Sequence, residues 1–150
     1  MTKPDASKAL IYATWNERLL VFDEPDFPDV ALQVPGGTME PGETASDAAI
    51  REFAEETGIA AGVETMKALG TEDYIFARDG QQICHRRHYF HAVLAASYPQ
   101  MWLHFEQSPF DGGPPIRFRL FWTTLDEAKA RLGYGMERAL HKLWFDQVGR

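Results

Sequence analysis

The chain of 150 residues has one cysteine, no long hydrophobic run and no excess of positive charge. A lone Cys84 cannot form an intrachain disulfide, so the fold must rest on its core, and the chain reads as suited to a reducing compartment. No stretch approaches the ~20 apolar residues of a membrane helix, and Met1–Leu10 lacks the apolar core of a secretory signal. The expectation is a soluble, cytoplasmic protein with no membrane partner. No basic stripe is interleaved with aromatics and the net charge is −7. Both features argue against a nucleic-acid partner. The five histidines have no zinc spacing. His85, His88 and His91 stand three apart on a segment that reads as a strand, so successive ones alternate faces.

The charge is unevenly divided. Residues 1–80 carry 16 acids against 6 Lys/Arg, whereas residues 81–150 carry 6 against 9. Six of the acids fall within residues 37–59, beside a single Arg. Such a cluster repels anions unless cations neutralise it first.

One domain over residues 1–150 suits the length. Alternating apolar residues predict a hairpin, Ala9–Thr14 and Leu19–Phe22, turning at Asn16-Glu17. A short strand at Val30–Val34 is expected to stop at Pro35-Gly36-Gly37. A helix follows, capped by Thr44 with Asp47 three residues on and ended by Gly58. Strands are expected around Ala61–Leu69, Tyr74–Ala77, Ile83–Leu94, Met101–Phe105 and Ile116–Thr123. Gln107–Pro115 reads as a mobile loop. Thr124 and Glu127 form a capping box, and Met136, Leu140, Leu143 and Trp144 give a last helix one apolar stripe. Strands mixed with helices indicate the α/β class.

The informative segment runs from Gly37 to Ile59. At 3.6 residues per turn, Glu52, Glu55 and Glu56 share one side of the helix, while Ile50, Phe53 and Thr57 fall on the other. Like charges at this spacing destabilise a helix. Divalent cations would relieve them, and a cluster of hard oxygen donors suits Mg²⁺ or Mn²⁺. Arg51, four residues before Glu55, is placed to brace it. The glycines of Pro35-Gly36-Gly37 allow a close backbone approach to a ligand, and a carbonyl there could join the metal.

The spacing G-x5-E-x7-R-E-U-x-E-E-x-G-U, with U apolar, is complete here as Gly37, Glu43, Arg51, Glu52, Phe53, Glu55, Glu56, Gly58 and Ile59. With average residue usage such a match arises about once in ten million chains of this length. It resembles the Nudix box. The resemblance implies an α/β/α sandwich with a mixed sheet, and Mg²⁺- or Mn²⁺-dependent hydrolysis of a phosphoanhydride bond in a nucleoside diphosphate-linked or triphosphate substrate. It makes Glu52, Glu55 and Glu56 metal ligands, with Gly36 offering its carbonyl and Glu43 supporting the site or a second ion. Glu52 also becomes the acceptor of the water's proton, a role some family members give to an acid outside the box, and Arg51 stands beside it as the second catalytic residue. The alternative is a catalytically silent nucleotide-binding module.

Outside the box, Trp102, His104 and Glu106 share one strand face. They either stack a base and supply an acid, or form a half-exposed sheet face. Arg86, Arg87, Arg117 and Arg119 lie on strands, and at least one is expected to reach a small nucleotide substrate, with Arg87 and Arg119 as candidates. Tyr74 reads as a core tyrosine and Cys84 as a small buried residue. The substrate within the class stays open, as does the choice between monomer and homodimer.

Overall fold

A computed structural model describes residues 3–106 and 112–144. Residues 107–111, the start of the expected Gln107–Pro115 loop, lie outside the described part. The elements are β1 (Ala6–Trp15), β2 (Arg18–Asp23), β3 (Gly36–Thr38), α1 (Ala45–Thr57), β4 (Met66–Arg78), β5 (Gln81–Val93), β6 (Met101–Glu106), β7 (Ile116–Thr123) and α2 (Leu125–Arg131), then a 3₁₀ helix over Met136–Lys142. The strands form one mixed sheet in the order β4-β5-β1-β2-β7-β6, with β3 on β1. β1 runs parallel to β5 and the other pairings are antiparallel.

Alternation along the strands builds two cores. Ala9, Ile11, Leu20, Phe22, Phe90, Phe118, Leu120 and Trp122 pack with Ala48, Ala49 and Phe53 of α1 on one face. Leu10, Tyr12, Leu19, Val21 and Tyr89 pack on the other face with Ala128 of α2 and with Met136 and Ala139 of the 3₁₀ helix. Helices on both faces make this an α/β/α sandwich, as expected. Among the described residues no helix is long and apolar enough to cross a membrane.

The first hairpin turns at Asn16 and Glu17, both with positive φ, the geometry of a two-residue hairpin turn. Only Thr14 and Trp15 of β1 register with β2; further back, Lys8, Ala9 and Leu10 register with Thr38, Gly37 and Gly36. The sheet therefore forks beside β1, and the fork sets β3 beneath the carboxylate helix.

Three expectations are corrected. Val30–Val34 is no strand: Leu32 and Gln33 make single bridges, and pairing resumes at Gly36, beyond the expected stop at Pro35. The glycine allows this approach, since a Cβ on Gly36 would stand 2.4 Å from the Ala9 carbonyl. The two strands expected between Ala61 and Ala77 are one, starting at Met66, because Leu69 bulges between Ala68 and Gly70 and the ladder continues to a turn at Asp79-Gly80. The closing helix is 3₁₀ and stops at Lys142; Trp144 lies past its end and meets the His91 ring, 4.2 Å between centres.

His91 is fully buried on β5, with Nε2 2.7 Å from the Thr14 hydroxyl and Nδ1 without a hydrogen-bond partner. Burial lowers its pKa from 6.5 to about 4. Between these values the unfolded chain binds a proton that the folded chain refuses, so stability is intact above pH 6.5 and lost as pH falls towards 4. His91→Gln should flatten the dependence of the unfolding free energy on pH across this window, by about 3 kcal/mol in all. An unchanged slope would assign the acid sensitivity to other groups.

Candidate active site

Thr44 caps α1 by accepting the Asp47 N–H, and Gly58 ends it in the left-handed region, so the helix spans Ala45–Thr57. The three acids on its one side differ in exposure. Glu55 is exposed, Glu52 is mostly covered, and Glu56 is buried at 7% exposure. The burial of Glu56 comes from β3, whose Gly36 N–H donates to its Oε1 at 2.8 Å. Burial pushes the Glu56 carboxyl well above the usual carboxylate range, and the negative charges of Glu52, Glu106 and Glu55 add to this; the Gly36 N–H acts against them.

Glu52 lies against Gly37, where an added Cβ would stand 2.3 Å from its carboxyl carbon. The glycine thus makes room for an acid of the protein itself. Desolvation also raises Glu52, while Arg51 acts to lower it.

Arg51 is the hub. Its Nε and one terminal nitrogen hold both oxygens of Glu43 at 2.8 and 2.9 Å, a two-pronged charged pair. That nitrogen also donates to the Thr38 carbonyl at 3.1 Å, and the other reaches Glu52 at 2.8 Å and Glu55 at 3.3 Å. The guanidinium holds the Glu43 carboxyl down at about 2. One arginine therefore ties the loop after β3 to the acidic side of α1.

Among the described residues, no three acidic, histidine or cysteine side chains already converge as ligands of one ion; Glu55 is turned to Arg51. The donor set nevertheless fits a hard divalent cation. Glu52 and Glu56 place carboxyl oxygens in a desolvated setting where a cation would favour their charged forms, and Glu43 holds Arg51 most closely.

A family model for the NUDIX domain matches residues 4–143. The chain belongs to the Nudix family. It is 36% identical over 109 residues to the mutator protein MutT4 of Mycobacterium tuberculosis, covering 71% of this chain and 38% of that protein. An RNA pyrophosphohydrolase of Sphingopyxis alaskensis is 37% identical over 67 residues, covering 45% of this chain and 42% of that one. The chain thus spans less than half the length of these curated relatives. In fold it is similar to the Nudix domain of Shewanella oneidensis NrtR complexed with ADP ribose, at a TM-score of 0.67 and 12% identity, over 94% of this chain and 87% of that one.

Around the Nudix helix the remaining candidates separate. Trp102, His104 and Glu106 face α1, whereas Met101, Leu103 and Phe105 are exposed, so here the strand buries its polar side. The Trp102 indole donates to the Thr57 carbonyl and His104 Nε2 to the Glu55 carbonyl, both at 2.9 Å. These bonds occupy carbonyls of the last helical turn, and the Trp102 ring packs on the core. Glu106 is close enough to Glu56 to raise its pKa. Arg119 is held by Asp23, on the sheet face that carries α2.

Arg87 is buried and lines a cavity of about 300 Å³ together with Lys8, Gly36 and Gly37. Tyr74 lines the same cavity, so it is no core tyrosine, and Cys84 is only half-buried. Sequence reasoning misses Lys8, whose one signal is a cation on the same strand face as Leu10 and Tyr12.

Gly37→Ala should leave a folded protein, because the clash falls on a side-chain end, but it should displace Glu52. If the position of this carboxylate governs turnover, the rate should then drop by roughly 100-fold or more at near-parental Tm. Unchanged kcat would show that the placement of Glu52 against Gly37 is irrelevant to turnover.

Proposed function

We propose that this Nudix chain is a Mg²⁺- or Mn²⁺-dependent pyrophosphohydrolase, cleaving a phosphoanhydride bond in a nucleoside diphosphate-linked or nucleoside triphosphate substrate. The observation that carries this reading is the pair of desolvated acids, Glu52 and Glu56, seated on Gly36 and Gly37 within a complete box. The name of the Sphingopyxis relative, a pyrophosphohydrolase, agrees with it.

Glu52, Glu55 and Glu56 would hold the cation, with the Gly36 carbonyl as a further donor. When bound, the cation neutralises the diphosphate and polarises it towards attack. The protein's own part is placement and proton transfer. Glu52, raised by desolvation, accepts the proton of the attacking water. The water oxygen bonds to phosphorus as the bridging P–O bond breaks, and the leaving phosphate takes the electron pair. Glu56 fixes the glycine strand against the helix through the Gly36 N–H. Arg51 holds Glu52 in place and keeps the preceding loop closed on the helix.

Turnover of a panel of nucleoside triphosphates, nucleotide sugars, dinucleoside polyphosphates and ADP-ribose should require the divalent ion. Full activity in excess chelator would overturn the reading, and nucleotide binding without turnover would favour the silent module.

Glu56→Gln can still accept the Gly36 N–H but carries no buried charge. In chelator it should melt at least as high as the parent, while its Mg²⁺ activation curve shifts to higher concentration. Glu52→Gln should turn over about 10²–10⁴-fold more slowly even at saturating Mg²⁺. Two folded variants with parental rates at every Mg²⁺ concentration would remove α1 from the chemistry.

A further inference from the structure

On the sheet face away from α1, Lys8 and Arg87 stand side by side. They are Cα partners in the parallel β1–β5 pair, so both side chains leave the same face, where neighbouring like charges repel. Arg87 is 5% exposed. Its guanidinium carbon lies 3.8 Å from the centre of the Tyr74 ring, and one terminal nitrogen, Nη1, is buried without a hydrogen-bond partner. Lys8 Nζ donates to the Thr38 hydroxyl at 2.6 Å. Both line the cavity of about 300 Å³, and among the described residues no carboxylate lines it.

Lys8 feels the charges of Glu52 and Glu56, and Arg87 has Glu72 as its Cα partner on β4. Yet none of the described acids lines the cavity, and a buried guanidinium nitrogen without a hydrogen bond is costly unless an anion meets it there. Phosphate suits this geometry: a guanidinium presents N–H groups in a fixed plane, and an ammonium adds a point charge. The cavity also shares a wall with the carboxylates. Gly36 and Gly37 line it, and these residues also receive Glu56 and Glu52.

We propose that Lys8 and Arg87 form a phosphate subsite for a substrate phosphate beyond the two that flank the scissile bond. The protein therefore prefers chains of three or more phosphates over simple diphosphate linkages. This rests on the hydrolase reading above and narrows its substrate class. Tyr74 holds the guanidinium plane in place, and the acids across the Gly36–Gly37 strand handle the bond that breaks.

Inorganic tripolyphosphate is the probe, titrated calorimetrically into the whole protein in excess chelator. The parent should bind it, and Arg87→Met and Lys8→Met should each weaken binding at least tenfold. A phosphate-free nucleoside should not compete. With Mg²⁺, the ratio of kcat/KM for ATP to that for ADP-ribose should fall at least tenfold in both variants. Folded variants that bind tripolyphosphate like the parent, a parent that does not bind it, an unchanged ratio, or competition by the nucleoside would each overturn the subsite. Should Arg87→Met fail to fold, Lys8→Met at its less buried position decides the same question. Absence of turnover on every substrate would refute the hydrolase reading alone, leaving the tripolyphosphate titration to judge the subsite.

Discussion

Arg51 carries more of the site than any other side chain, because its five N–H groups are rigidly spread and it cannot shed its charge. A lysine would supply one compact charge at the same place; the guanidinium binds both oxygens of Glu43, the Thr38 carbonyl, Glu52 and Glu55 together. These partners come from three segments: the end of β3, the loop before the helix and the helix itself. Loop position, helix position and the orientation of two acids are thereby fixed by one group. Its pull also falls unevenly. Glu43 takes the two-pronged contact and is strongly acidified, so Glu52 keeps a raised affinity for its proton.

The scaffold supports this hub from two sides. Below, the fork of the sheet at β1 frees one edge to pair with β3, and two glycines let that strand lie under the helix close enough for Glu56 and Glu52 to reach it. At the far end, β6 holds the last turn of α1 through Trp102 and His104. Both supports use backbone groups as partners. The helix is positioned by its first and last turns and by its acids, while its apolar side, Ala48, Ala49 and Phe53, only has to fill space.

Much of this is legible in the chain itself. Helix limits are local chemistry: Thr44 accepts an N–H three residues on, and Gly58 adopts a left-handed turn unfavourable to other residues. The first hairpin and the two alternating strands β6 and β7 follow from period-two patterning. The box is legible for the same reason, since its acids lie within one helix and their spacing needs no partner to interpret it. Features that join distant segments are not legible in this way. Gly70 resembles a strand end because a glycine in isolation cannot show whether a neighbouring strand accommodates a bulge there. Pro35-Gly36-Gly37 resembles a stop because the sequence does not reveal that β1 waits to pair with the glycines.

The sequence by itself determined the family's motif, the helix that bears it and the acid cluster that suits a divalent cation, all set by spacing within one segment. Tertiary structure decided which acid is buried, since Glu56 loses water only when Gly36 comes up against it. It decided that the polar side of β6 faces inward, because unpaired carbonyls of α1 offered partners that hydropathy does not register. It also set Lys8 beside Arg87, 79 positions apart in the chain and opposite one another in the sheet. Charge acts through space, and only the folded register states which charges are neighbours.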